Sequence, residues 1–545
     1  MARSPKRQSD KLPPADTLPI DVDTKIAPTE SDEDKPAIKT VAAIDIGTNA
    51  VRMVIAEVDT EGNITPIERL NRAVRLGQDT FRTGRLAGKT MRAAVSIMRD
   101  YAKLLHLYDV AKVRAVATSA VREAINADTL IDRINMVTGI SVDIIGTPEE
   151  SRLTVSAVHN AADKTLDEAK GNTLIVDVGG GNTLLTLFGQ GTIISSQAVR
   201  LGAIRIQETL GTSEDTPKRR VDLFRQQASR ETSFLAGLGN LDDTNTFIGI
   251  GSDIRFAADQ IGEPTLSDDL TSVNRESFDK FITQCVRYHP EELARKHGIS
   301  FAQAETLIPA LVTYQILLHK TQADRLIVSQ VSMRDGLLLE LAREVTGRED
   351  KKLQQSIISS ALSIAQKYHA DMGHANSVSE LSVMLFDELQ TDHGLGNRMR
   401  LLLRVAGILH EIGGFISDRA HHKHGYYLVN HSDVFGLTRD ELRIVAHVVR
   451  YHRRGVPKQS HSDYIVLPRT TRVTINKLAA ILRVADAVLR SRNHSPKDFR
   501  FDRHGDELLV LVRGASGMVF EQRALKEKGN LFEDIFGMTV HLEEA

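Results

Sequence analysis

Residues 41–58 read VAAIDIGTNAVRMVIAEV, and residues 173–188 read TLIVDVGGGNTLLTLF. Each stretch is an apolar run, an aspartate, a glycine turn and a second apolar run. Apolar runs of this length joined by such a turn predict strand, turn, strand. Asp45 and Asp177 hold the same place in the two copies. A third glycine turn, in FIGIGSDIRFAAD at 247–259, joins a strand to a helix. Repetition of one supersecondary unit predicts two related lobes facing each other across a cleft.

Outward from the first copy, strands and helices alternate. A helix is expected from about Gly88 to Leu107, then a strand VRAVA, a helix from TSAVREAINADTLIDRI, a strand SVDIIG and a helix PEESRLTVSAVHNA. Alternation of this kind predicts an α/β fold. From about Lys352 to Arg492 helical periodicity takes over, and the last stretch, FRFDRHGDELLVLVRG and MTVHLEEA, returns to strand-like alternation. The organisation expected is a tail at 1–38, a first lobe at 39–165, a second at 166–345, a helical domain at 346–495 and a small C-terminal α/β or β-rich unit at 496–545. The tail is rich in Pro, Ser, Asp and Lys and reads as disordered.

The single cysteine, Cys285, cannot form an internal disulfide, so a reducing cytoplasm is the expected compartment. There is no secretory h-region, and no apolar run reads as long enough to cross a bilayer, so no membrane partner is expected. The net charge of −2 hides a basic stretch: Arg443 to Arg503 carries 14 Lys/Arg against 4 Asp/Glu. Such a stretch is either a solvated helical face or an attractor of polyanions. Nucleic acid is not expected, because no aromatic-interleaved reading motif accompanies it.

The glycine turns carry the chemistry. Glycine lets the backbone bend close to a ligand, and the N–H groups of Gly47, Thr48 and Asn49 can form a nest for phosphate oxygens. Gly179, Gly180, Gly181, Asn182 and Thr183 offer the same device opposite. Asp45 and Asp177 would repel a bare phosphate, so they make sense with Mg²⁺ or with a water to be oriented. Asp-x-Gly is also an ordinary hairpin turn; two copies, each bracketed by apolar strands, favour the phosphate reading.

The set IDIGTNAVRMVIAEV, ATSAVREA, EESR, IVDVGGGNT, RLGAIRIQE and SMRDGLLLE resembles the exopolyphosphatase/guanosine pentaphosphate phosphatase family, from about Val41 to about Leu341. The resemblance implies the sugar kinase, Hsp70 and actin superfold with two ribonuclease-H-like lobes, an Mg²⁺-dependent phosphoanhydride hydrolase and a homodimer. It assigns Glu150 as catalytic base beside Asp177 and places Arg122 against the phosphate chain. Gly202, Arg205 and Arg334 also match family positions. Read locally, Thr147, Pro148 and Glu150 form a helix cap; the resemblance reverses that reading. One departure stands out. The family continues its second loop with a glutamate that helps organise metal and water, and this chain has Leu184 there.

In the helical stretch, His374, His410-Glu411 and Asp486 follow the order of HD phosphohydrolase ligands, which converge on a divalent metal. A second metal site on His374, His410, Glu411 and Asp486 is therefore an expectation, with His424 and His452 as added ligands or phosphate contacts. Glu411 stands where that pattern has aspartate. Within the exopolyphosphatase family this domain is often a scaffold, and HHKHGYY and RYHRR can line a path for polyphosphate. The expected function is hydrolysis of the terminal phosphate of polyphosphate or guanosine pentaphosphate. Alternatives are a kinase of the same superfold, a polyphosphate- or alarmone-binding regulator with a disabled site, and an HD nucleotide hydrolase.

Overall fold

The computed structural model describes residues 38–545 apart from 169–170, 190–191, 211–215, 234, 236–238, 240, 266, 268, 348–350, 493 and 515–516. The disordered-tail reading falls on residues 1–37, outside those described, and on Ile38.

The first lobe is built on a five-stranded sheet: β1 (Lys39–Ile46), β2 (Ala50–Val58), β3 (Ile64–Ala73), β4 (Lys112–Ala117) and β5 (Val142–Ile144), in the order β3-β2-β1-β4-β5. β1 pairs antiparallel with β2 and parallel with β4, so it is central and buried on both faces. That is why its run from Val41 to Ile46 is apolar at nearly every position rather than alternating. Ala42, Ile44 and Ile46 pack with Met91, Met98 and Tyr101 of the helix Gly88–Leu107. Val41 and Ala43 pack on the other face against Leu337, Leu338 and Leu341 of the helix Met333–Thr346, which returns from the far end of the second lobe.

The second sheet comprises β6 (Asn172–Val178), β7 (Thr183–Gly189), β8 (Thr192–Val199), β9 (Thr244–Ile250), β10 (Glu263–Pro264), β11 (Leu270–Asn274) and β12 (Arg325–Ser329), ordered β10-β11-β12-β9-β6-β7-β8. Its inner part, β8-β7-β6-β9-β12, repeats the first lobe's order and strand directions. These are the two ribonuclease-H-like lobes of the actin-like superfold. The helix Thr147–Glu168 leads from one lobe to the other and crosses Met333–Thr346 closely. A Cβ on Gly336 would lie 2.1 Å from the carbonyl oxygen of Leu153.

Two expectations need correction. TSAVREAINADTLIDRI is two helices, Ser119–Arg122 and Ala127–Thr138. Between them the Asn126 amide bonds both the N–H and the carbonyl of Leu86, which pins the chain in a turn. The helix Phe301–Leu318 is long and apolar enough to cross a membrane by length and composition, contrary to the sequence reading. Leu307, Leu311, Tyr314 and Leu318 of this helix are fully buried in the second lobe's core, which accounts for its composition.

Beyond Lys351 the chain is helical up to Val488, then adds β13 (Phe499–His504), β14 (Glu507–Val512) and β15 (Thr539–Glu544) with two helices, Val519–Lys528 and Asn530–Phe536. The C-terminal unit is thus α/β. It shares one continuous core with the helical domain, in which Leu482 and Val484 pack in the same cluster as Leu508, Val510 and Phe532.

Candidate active site

Asp45 and Asp177 close their strands, and the turns that follow are built alike. The Gly47 N–H donates to the Ala50 carbonyl at 3.0 Å, and the Gly179 N–H to the Asn182 carbonyl at 2.9 Å. These two amides therefore close their turns instead of facing a ligand, which corrects the expectation for Gly47 and Gly179. The N–H groups of Thr48, Asn49, Gly180 and Gly181 have no acceptor among the described residues. The loops meet. A Cβ on Gly180 would lie 2.9 Å from the Thr48 side chain, and Thr48 Oγ1 is 3.2 Å from Ser119 Oγ.

Gly202 makes a second close approach: a Cβ there would lie 2.3 Å from the Gly180 carbonyl oxygen. This lets the helix Ala203–Leu210 start on the second loop. The N–H groups of Ala203, Ile204 and Arg205, which a helix start leaves unbonded, donate to the carbonyls of Gly179 and Gly180 at 3.0 Å. Arg205 turns toward the first lobe, with its guanidinium 4.1 Å from the Phe81 ring centroid and bonded to Glu123 at 2.5 Å. It ties the lobes together.

A cavity of 520 Å³ lies between the loops, lined by Asp45, Glu150, Asp177 and Asp253 and by Arg52, Arg255 and Arg334. Arg52 and Arg334 reach Asp45 Oδ2 at 3.3 and 3.4 Å. Thr154 Oγ1 lies 3.5 Å from Asp177 Oδ2. Glu150 faces Arg122 at 3.3 Å, so its carboxylate closes an ion pair and not a helix cap. Burial pushes the Glu150 carboxyl up to about 7; Arg122 opposes this, while the charges of Asp177 and Asp45 add to it. Burial likewise raises Asp177 to about 6, with Arg255 opposing and Asp45 adding. Asp253 is also raised to about 6 by burial, against its hydrogen bond from Thr306. Carboxylates that disfavour one another's ionisation in a cleft are a mark of acid–base function.

The oxygen donors of Asp45 and Asp177 suit a hard cation such as Mg²⁺. Among the described residues, these carboxylates do not converge as a set of three ligands.

Not every predicted residue lines the cavity. Thr183 is fully buried, with its hydroxyl donated to the Leu201 carbonyl. Gly181 packs against Ser119 and Phe81. Arg122 stands behind Glu150, bonding it and, at 2.7 Å, the Ile145 carbonyl. Gly47, Thr48, Asn49, Gly179, Gly180 and Asn182 do line it. Leu184 sits directly across the ladder from Asp177 and is 5% exposed. Sequence reasoning missed Arg52, Arg255 and Tyr314. A charged residue inside the apolar run AVRMVIAEV was a usable signal for Arg52. Tyr314 had none: its hydroxyl accepts from the Val178 N–H at 3.1 Å and donates to the Ile250 carbonyl, joining the second and third glycine turns.

In the helical domain the structure brings together His374, His410 and Asp486, all buried, with ligand atoms within 4.8 Å of one another. Glu411 is outside this set and faces Arg492 at 3.5 Å. Part of the basic stretch is paired: Arg483 is fully buried on the carbonyls of Tyr451 and Gly455, and Arg454, Arg492 and Arg503 pair with Glu527, Asp371 and Asp392.

Comparison with known proteins places this geometry. Residues 54–345 match the model of the Ppx/GppA phosphatase family, and residues 358–516 match that of Ppx/GppA phosphatase domain III. The guanosine-5'-triphosphate,3'-diphosphate pyrophosphatase of Aliivibrio fischeri is 23% identical over 460 residues, covering 81% of this chain and 86% of that protein. That of Photobacterium profundum is 21% identical over 464 residues, covering 85% and 89%. An exopolyphosphatase from Cytophaga hutchinsonii superposes with a TM-score of 0.51 at 20% identity, over 56% of this chain and 98% of that one. An exopolyphosphatase-like protein gives 0.50 at 23% identity, over 56% and 99%. These structural likenesses speak for the fold.

Proposed function

This chain belongs to the Ppx/GppA phosphatase family, and from that premise we propose that its cleft hydrolyses the terminal phosphoanhydride bond of guanosine pentaphosphate or inorganic polyphosphate, releasing orthophosphate. The observation that carries the reading is the group of carboxylates between the two Asp-x-Gly loops, with Glu150 tuned to about 7. The names of the curated relatives favour the guanosine substrate; those of the solved neighbours favour polyphosphate.

The terminal phosphate sits against the amides of Thr48, Asn49 and Gly180, which line the cavity. Arg52, Arg255 and Arg334 set positive charge around the same cavity. Amides fixed by their turns stabilise developing charge on phosphate oxygens without reorganising. A water on the Glu150 side attacks phosphorus and gives its proton to the Glu150 carboxylate. The bond to the bridging oxygen breaks and the shortened chain leaves with that oxygen. A base near 7 is half ionised at neutral pH, close to the optimum for such a transfer. Mg²⁺ held by Asp45 and Asp177 would supply charge neutralisation for the phosphate chain. Arg122 holds Glu150 in place and favours its ionised form.

The test is orthophosphate release in Mg²⁺ by purified wild type and Glu150→Ala. Release that depends on Glu150 supports the reading, and undiminished release by the variant overturns it. A second reading rests on Leu184. With an apolar side chain facing Asp177 across the ladder, the cleft binds its ligand and turns it over slowly, as a regulator would. Tight binding without turnover selects this reading. The family resemblance also implies a homodimer, which sedimentation equilibrium tests.

A further inference from the structure

Glu150 stands in the first turn of the helix Thr147–Glu168. The leading amides of a helix have no ladder bonds of their own, and Pro148 has no N–H to give. The Glu150 N–H reaches back to the Gly146 carbonyl at 3.0 Å. The side chains on either side of Glu150 enter a separate group of charges. Arg114, on β4, donates to Glu149 Oε1 at 2.7 Å with one nitrogen and to Glu340 Oε2 at 2.5 Å with the other. Arg152 pairs with the remaining oxygen of Glu340 and lies 3.8 Å from Glu149. Glu149 and Arg152 are buried. Two guanidiniums and two carboxylates balance in charge, which such burial requires. None of the four lines the cleft cavity.

We propose that Glu340 is a positioning residue for Glu150, an inference that rests on the reading of Glu150 as the base. Its carboxylate holds the first turn from both sides, through Arg152 and through Arg114 to Glu149. The helix crossing puts it there. Gly336 lets the helix Met333–Thr346 approach the Leu153 carbonyl, and position 340, one turn further on, falls on the same face. That helix also carries Arg334, which reaches Asp45. β4, which carries Arg114, runs on to Thr118 and Ser119 in the cavity wall. One carboxylate thus ties together three elements that each deliver a side chain to the cleft. The helical domain backs the arrangement. A Cβ on Gly436 would lie 3.5 Å from Arg152 Cδ, and Arg398 bonds the Gly436 carbonyl at 2.9 Å while holding Glu441 at 2.6 and 2.8 Å. The pair Lys112–Glu344 joins the same strand and helix at the exposed surface and serves as the contrast.

The experiment compares the full chain with Glu340→Gln, Glu340→Asp and Glu344→Gln. Glutamine removes the charge, and aspartate keeps it on an arm too short to serve both guanidiniums. Amide hydrogen exchange over residues 147–153, read by mass spectrometry, quickens at least about tenfold in both Glu340 variants, while the core helix Phe301–Leu318 stays as protected as in wild type. Orthophosphate release from guanosine pentaphosphate or polyphosphate shows kcat lowered by about 10–100-fold in both, the cost of a misplaced catalytic group. KM stays within about twofold, because the phosphate-holding loops are untouched. Glu344→Gln matches wild type in both measurements. Wild-type exchange in that turn of a folded Glu340→Asp overturns the proposal, and so does a loosened turn with wild-type kcat. Protection lost throughout the chain in both Glu340 variants assigns the carboxylate to the fold as a whole and also overturns it. Wild type that releases no phosphate from either substrate strikes the proposed function instead, and the exchange data then judge the hold on the turn by themselves.

Discussion

Replacing Glu150 by glutamine should make the protein more stable and less active at once. The folded carboxyl takes its proton at about 7, against an ordinary value of 4.5, because burial disfavours its charge. Between those values the folded chain holds a proton that the unfolded chain has released, so stability falls as pH rises from 4.5 to about 7. Above that the penalty is complete, at about 3 kcal/mol for a difference of this size. Glutamine carries no charge and avoids it. The opposing pull of Arg122 is already contained in the value of about 7, so the gain is about 3 kcal/mol at pH 8 and under about 1 kcal/mol at pH 5. Orthophosphate release should fall by about 10²–10⁴-fold, the usual worth of a general base. Urea unfolding of both proteins at pH 5 and pH 8, with chelator present so that no cation compensates the charge, measures the first effect. A phosphate assay measures the second. A variant no more stable than wild type at pH 8, or one that keeps its activity, refutes the reasoning.

Other changes test the surrounding parts. Arg122→Ala removes the cation that lowers the Glu150 carboxyl, so the rising limb of the pH–rate profile should move to higher pH; a limb that stays put or moves down denies the pairing. Gly202→Ala pushes a methyl into the Gly180 carbonyl 2.3 Å away and should cost about 1–3 kcal/mol by overpacking, with phosphate release lost in parallel; calorimetry and the same assay decide. Leu184→Glu sets a carboxylate across the ladder from Asp177. It should lower the melting temperature in chelator, raise it more steeply with Mg²⁺ than wild type does, and increase turnover; indifference to Mg²⁺ would show that the position does not face the metal.

The fold was legible because its repeat is written in the strands. Two apolar runs broken by Asp-x-Gly leave little freedom for β1, β2, β6 and β7, and the glycines that allow backbone contact between loops are visible as glycines. The cleft was half legible. Asp45, Asp177 and the loop residues are local to their motifs, but the amides of Gly47 and Gly179 are spent on closing turns, which only the hydrogen bonds reveal. Arg255 and Tyr314 reach the cavity from distant elements, and spacing along the chain does not encode that. Local physics read Glu150 as a cap; its ion pair with Arg122, 28 residues away, decides otherwise. In the helical domain the order His, His, acid, Asp pointed to Glu411, whereas tertiary packing turns Glu411 to Arg492 and brings Lys528 in from the C-terminal unit.

The central claim is that the cleft between the two glycine loops removes terminal phosphate. Wild-type protein in Mg²⁺, given guanosine pentaphosphate and long-chain polyphosphate side by side, should release orthophosphate from at least one of them, and Glu150→Gln should lower that release by about 10²–10⁴-fold. Tight binding of both substrates with no orthophosphate from either would contradict the account and leave a binding protein in its place.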